Sequence, residues 1–356
     1  MQRWIRAFIL TILGLLLAGA GTEAAMDYVH ASSAGREGVH TGSSVRTSEA
    51  VRQTWAAEPE LESEPLLSFS VLSDIHITSW DAEAHRRLRE ALADHAEIRK
   101  DSKLLVLNGD LTDGDEADYR SLLAILNHTA HPPVHATMGN HDYYRLWRGP
   151  DGKMDTTRLN PAWSSKQAVE QFMRMFHYDK PYHELVSEGY HFLFLSGEAY
   201  RDVQPTVGED AYLSPEQLGW LRERLQAAAA EDPHKPVFVF LHQPLPGTLD
   251  GTDRERGIVQ HQELRALLDA HPNVILFSGH THWNLESTQQ VKQLRFLAAS
   301  SASIRQVWNG QNEPESRSLS QSLVVDVYKD HVIINRREHS KRRWIQPSIN
   351  KGYDVS

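Results

Sequence analysis

Short apolar runs alternate with amphipathic stretches along most of the chain. The runs at 69–72, 104–107, 134–137, 191–195, 237–241 and 274–277 are rich in leucine, β-branched and aromatic residues, which predicts buried strands. Between them, residues 81–100 carry Leu88, Leu92 and Ala96 at helical spacing, and residues 116–128 carry Leu122, Leu123 and Leu126. Ser214-Pro215-Glu216 reads as an N-cap followed by proline in the first turn, opening a helix that runs to about residue 230. A fourth helix is expected over 262–270. Strands alternating with helices predict a layered α/β fold. Nearer the end, 294–298, 323–328 and 331–335 read as successive strands, the last two joined by a Lys329-Asp330 turn. They predict a second sheet packed on the first.

The ends depart from this pattern. Arg3 and Arg6 precede an apolar run from Ala7 to Ala20, and Ala18-Gly19-Ala20 has the small-residue form of a cleavage site. Residues 1–25 are therefore expected to be a secretory signal or an N-terminal membrane anchor, with 5–21 as the tethering stretch. The run is shorter than the roughly 20 apolar residues that cross a bilayer. Residues 26–65 are rich in Ser, Gly, Ala, Glu and Thr and read as a flexible linker. The folded domain is expected over 66–337, and 338–356 reads as a basic, polar tail carrying Lys341, Arg342 and Arg343. This layout predicts a secreted or extracytoplasmic, membrane-tethered protein of bacterial type.

Composition narrows the chemistry. The 356 residues carry a formal net charge of -10, so no broad basic surface is available and general nucleic-acid binding is not expected. There is no cysteine, so any metal must sit on His, Asp, Glu or Asn. Of the 20 histidines, only those with metal-ligand spacing matter here; His85, His95, His128, His135, His177, His183 and His261 read as surface or core residues.

Five apolar runs are each followed at once by a metal-capable side chain. Asp74 and His76 follow the first, Asp110 the second, Asn140 and His141 the third, His242 the fifth, and His280 and His282 the sixth. In α/β sheets ligands collect outside the carboxyl ends of the strands, so strand ends on one edge would bring these residues together. Asp74 and His76 are two apart, as are His280 and His282, which in extended backbone puts each pair on one side. Gly109, Gly139 and Gly279 stand beside them and permit tight turns. Two Asp, one Asn and four His suit Mn, Fe or Zn better than Ca or Mg, and one carboxylate can bridge two such ions.

The order D-x-H, G-D, G-N-H-D, H, G-H-x-H resembles the calcineurin-like metallophosphoesterases. It stands here as Asp74-Ile75-His76, Gly109-Asp110, Gly139-Asn140-His141-Asp142, His242 and Gly279-His280-Thr281-His282. The string Gly139-Asn140-His141-Asp142 alone would arise by chance in only about one chain in a thousand. The resemblance implies a four-layer α/β/β/α sandwich of two mixed sheets flanked by helices, with the site at the strand C-terminal ends. It implies two divalent or trivalent ions: Asp74, His76 and His282 on the first, Asn140, His242 and His280 on the second, and Asp110 bridging. His141 resembles the family's non-ligand histidine that protonates the leaving oxygen, and Asp142 would orient it. The group that includes cyclic-nucleotide phosphodiesterases is the most similar.

The expected activity is hydrolysis of a small phosphate ester, with diesters preferred over monoesters. A non-catalytic scaffold of the same fold and a mononuclear hydrolase are the rivals. The first should show gaps in the ligand set, and the second leaves Asn140 and His280 without a role. Residues 143–190 hold Tyr143, Tyr144, Trp147, Trp163, Phe172, Phe176, Tyr178 and Tyr182 among several arginines. They are either a cap over the site or an excursion packed on its own aromatics. Trp283, beside His282, either stacks on substrate or walls the cleft. Asp113 and Asp115 read as loop and helix-cap residues.

Overall fold

The computed structural model describes residues 64–353 apart from 254, 255 and 317. The expected signal or anchor, and the linker up to residue 63, lie outside the described residues.

The apolar runs form strands by alternation. In β1 (Leu67–Leu72) Leu67, Phe69 and Val71 face one way, and in β2 (Leu104–Asn108) Leu104 and Val106 join them while Leu105 and Leu107 face the other. With β3 (Val134–Thr137) these strands are parallel. A second sheet is centred on β5 (Tyr190–Phe194), β6 (Val237–Phe240), β7 (Val274–Ser278) and β9 (Leu297–Ser300), also parallel, with β4 (His183–Ser187) and β8 (Val291–Gln293) as antiparallel edges. The sheets pack face to face through aromatic rings. Phe69 of the first lies 5.1 Å from Phe192 and 4.9 Å from Phe238 of the second.

Helices cover the two outer faces. Helices α1 (Ala82–Ile98), α2 (Glu116–Asn127) and α3 (Ser165–Phe176) pack on Leu105, Leu107 and their neighbours, and α4 (Pro215–Glu231) and α5 (His261–Asp269) pack on Val239, Leu241 and Leu276. Asp81 caps α1 by accepting from the backbone N–H of Glu83 and Ala84, and Ser214 caps α4. The result is the expected four-layer α/β/β/α sandwich of two mixed six-stranded sheets.

The late strands and the expected basic tail differ from expectation. The late strands β10 (Gln321–Val327) and β11 (His331–Glu338) do not build the second sheet; β10 pairs antiparallel with β1 in the first. The residues read as a basic tail include β12 (Arg343–Gly352), paired along β11. The aromatic segment 143–190 packs mostly into the outer core: Tyr143, Leu146 and Phe172 are buried beside α1 and α2, with Trp147, Trp163 and Phe176 against them. No helix of the described residues is long and apolar enough to cross a membrane.

Candidate dimetal centre

Each candidate ligand leaves the end of a strand, but the ends belong to both sheets. Asp74 and His76 follow β1, Asp110 follows β2 and Asn140 follows β3, whereas His242 follows β6 and His280 and His282 follow β7. The two sheets therefore meet at the site.

Convergence does not come from extended alternation. Asp74, His76, Asp110, His280 and His282 all adopt left-handed backbone, with φ of 53°, 49°, 49°, 71° and 58°. Such conformations cost about 1–3 kcal/mol each for a residue with a side chain and persist only where the surroundings enforce them. Here a lattice of backbone bonds does so. Ile75 and His76 N–H donate to the Asp110 carbonyl at 2.9 and 3.0 Å, Gly279 N–H to the His242 carbonyl at 2.8 Å, and Trp308 N–H to the His282 carbonyl at 2.8 Å. Two glycines are required by closeness rather than by φ. A Cβ on Gly139 would collide with the Asp110 carboxylate, and one on Gly279 with Ser73 and Asp74.

The expected ligand atoms fall into two overlapping groups. Asp74, His76, Asp110 and His282 form one, and Asp110, His242 and His280 the other, with the ligand atoms in each within 4.8 Å of one another; a third group of the same closeness, His76, Asp113 and His141, lies beside the first. His282 Nε2 lies 2.9 Å from Asp74 Oδ1 and 3.3 Å from His76 Nε2. His280 Nδ1 lies 3.0 Å from Asn140 Oδ1, which brings Asn140 to the second group. Asp110 belongs to both.

The imidazoles are aimed. His242 Nδ1 donates to the Asn108 carbonyl at 2.9 Å and His282 Nδ1 to the Gln306 carbonyl at 3.0 Å, so in each Nε2 is the nitrogen turned to the carboxylates. His242 Nε2 is buried without a hydrogen-bond partner, 3.2 Å from Asp110 Oδ2 and 3.8 Å from Asp74 Oδ1. A buried imidazole nitrogen beside two carboxylates calls for a positive charge, either a proton on Nε2 or a metal ion in its place. Electrostatics agree: burial pulls the His242 imidazole down, but Asp110 and Asp74 outweigh it and lift it to about 9. Burial pushes Asp74 up, yet His282 and His242 hold it at about 2. Burial, with His141 next, takes His76 down to about 3 and keeps it neutral.

His141 stands at the rim. Its ring lies edge-on to His76 at 4.4 Å and stacks on Tyr144 at 3.9 Å. Burial depresses it, but Asp110 and Asp113 raise it to about 9. The carboxylate that reaches the ring is Asp113, with Oδ1 3.3 Å from Nδ1. Asp142, expected in that role, points inward. It accepts from the backbone N–H of Leu111, Thr112 and Gly139 at 3.2, 3.0 and 3.0 Å and from Tyr119 Oη at 3.1 Å. The chain enters a 3-10 turn at His141–Trp147, where adjacent side chains diverge by about 120°. Burial, then Asp110, raises Asp142 to about 6.

The sequence model of the calcineurin-like phosphoesterases matches residues 67–284, more than half of the chain. The chain belongs to that family. Among solved structures it is similar to a dimetal phosphatase from Danio rerio, with TM-score 0.59 and 13% identity over 82% of this chain and 100% of that one. It is also similar to the purple acid phosphatase PPD1 from yellow lupin, with TM-score 0.56 and 11% identity over 80% of this chain and 53% of that one. At these identities the likeness is one of fold. No curated protein sequence matches the chain significantly.

In this phosphoesterase the donor set fits a dinuclear centre: four imidazoles, two carboxylates and one carboxamide, with Asp110 shared. Two functional candidates lay outside the motifs. Asp113 carries a signal in retrospect, three residues after Asp110 in the same turn. Glu209 carries none; it comes from the loop between β5 and α4, and its carboxylate accepts from Asn140 Nδ2 at 3.2 Å. Trp283 donates through Nε1 to Asn312 Oδ1 at 2.6 Å, which ties its ring to a neighbouring loop.

Proposed function

We propose that this phosphoesterase hydrolyses phosphodiesters outside the cytoplasm at a two-metal centre. Asp74, His76 and His282 would hold the first ion, Asn140, His242 and His280 the second, and Asp110 is placed to serve both. The observation that carries this reading is the pair of overlapping ligand groups that share Asp110. When bound, Mn, Fe or Zn ions supply positive charge to the phosphoryl oxygens and a water of lowered pKa. The chain supplies the rest. His141 donates a proton to the leaving oxygen, and Asp113, 3.3 Å from its Nδ1, holds the ring so that Nε2 is the donor. Asp110 Oδ1 accepts the His141 backbone N–H at 2.8 Å, which locks the rim to the bridge.

Charge around the rim favours a diester. A diester carries one negative charge at phosphorus and a monoester up to two, which calls for additional cations. The arginines beside the site are committed: Arg148 to Asp115 at 2.6 Å and Arg201 to Glu209 at 2.8 Å. The basic and apolar N-terminal run supports export. Turnover of matched aryl diesters and monoesters with Mn tests the preference, and equal or faster monoester turnover sinks it. Fractionation of cells expressing the full chain tests export, and recovery of the protein in the soluble cytoplasm refutes it.

A further inference from the structure

We propose that Glu209 is a positioning residue for Asn140, and through Asn140 for the second ion; the proposal rests on the dimetal reading above. An asparagine side chain has two chemically opposite ends of almost equal shape, and only the oxygen can ligate a cation. At Asn140 the ends are sorted. Oδ1 points to His280 Nδ1 at 3.0 Å, and Nδ2 donates to Glu209 Oε2 at 3.2 Å. Turning the amide over would set its oxygen against a carboxylate and its NH2 against the cation position. Glu209 therefore decides which end faces the ion. Its charge also draws the amide dipole so that Oδ1 becomes the better ligand, as outer carboxylates do for ligating imidazoles.

Glu209 is itself held in place. Tyr200 Oη donates to both of its oxygens at 2.8 and 2.9 Å, Arg201 Nη2 donates to Oε1 at 2.8 Å, and Tyr144 Oη donates to Oε2 at 3.3 Å. Gln243, the residue after His242, donates through Nε2 to the Glu209 carbonyl at 3.1 Å, which ties this loop to the strand end that carries a candidate ligand. The donors that converge on Glu209, namely Asn140, Arg201 and two tyrosines, want a group that only accepts. A glutamine would present an NH2 to one of them.

Equilibrium dialysis of the full chain against graded Mn, with elemental analysis, reads both ions separately from turnover. The wild type should take two ions per chain. Glu209→Gln and Glu209→Ala should keep the affinity for the first and weaken the second by about 10–100-fold, the usual effect of losing an outer-sphere partner, with the second regained at high Mn. A merely structural role would lower the thermal midpoint of the metal-free chain without separating the two ions. Wild-type affinity for the second ion in a folded variant overturns the proposal. If the alanine variant does not fold, the isosteric glutamine variant decides. A wild type that takes one ion at saturation refutes the dimetal reading itself and the proposal with it. That outcome is distinct from two ions in every protein at the same Mn, which refutes only the role of Glu209.

Discussion

Replacing His141 by alanine separates proton donation from ion binding. His141 is in neither of the two ligand groups that share Asp110, although it sits with His76 and Asp113 in a third; as the proposed proton donor rather than a ligand, its loss should leave the ion content unchanged. What it would remove is the proposed proton donor, whose ring meets Asp113 and stacks on Tyr144. General acid catalysis is worth about 10²–10⁴ in rate, or about 3–5 kcal/mol of transition-state stabilisation. That contribution applies only where the leaving oxygen needs a proton. A nitrophenyl ester departs as a stable anion and an alkyl ester does not. The variant should therefore lose about tenfold or less on the nitrophenyl substrate and about 10²–10⁴ on the alkyl one. Asp113→Asn keeps a hydrogen-bond acceptor but loses the charge, so it should show the same leaving-group pattern at a smaller amplitude. The assay is kcat for a series of diesters differing only in leaving group, with ion content measured on the same samples. Equal losses across the series, or loss of ions with His141, would falsify the assignment.

Asp110→Asn removes the carboxylate common to both groups, and elemental analysis should find both ions depleted rather than one. Phe69→Ala empties a fully buried position that meets Phe192 and Phe238 of the opposite sheet, and urea unfolding should show a loss of about 3–5 kcal/mol. His183, where burial and then His135 bring the imidazole to about 3, stays neutral when folded and takes a proton near pH 6.5 when unfolded. Its contribution is thus flat above about pH 6.5, and stability falls below it by up to about 1.4 kcal/mol per pH unit. Urea midpoints between pH 7 and 5 should show that decline, and His183→Phe should flatten it; an unchanged slope counts against the assignment.

Local pattern carried the parts of the fold that local physics decides. The runs that became β2, β3, β6 and β7 were legible because each is short, apolar and bounded by polar turns, and α1 and α4 because Asp81 and Ser214 announce their first turns. Pairing was not legible. Nothing near Val325 indicates that its partner is Phe69, far away in sequence. Strand β12 was hidden by composition: an edge strand half open to solvent carries Arg343, Gln346, Ser348 and Lys351, which reads as tail. At the site the candidate ligands were legible because glycine-flanked motifs mark strand ends. Their left-handed backbone was not, since it is imposed by bonds between loops. For the same reason sequence adjacency points to Asp142 as the partner of His141, whereas a turn brings Asp113 to it instead. Glu209 depends wholly on tertiary placement.

Because β1 and β2 lie in one sheet and β6 and β7 in the other, neither ligand group exists until the sheets have docked. His282 is needed to complete the first group, so that group cannot form until the chain has been made through β7 and the turn after it. An ion held in either group would touch residues from both sheets and act as a staple across their open end. At a free concentration a hundredfold above its dissociation constant, each ion adds about 2.7 kcal/mol to the folded state. Ion uptake would thus report the docking of the two sheets.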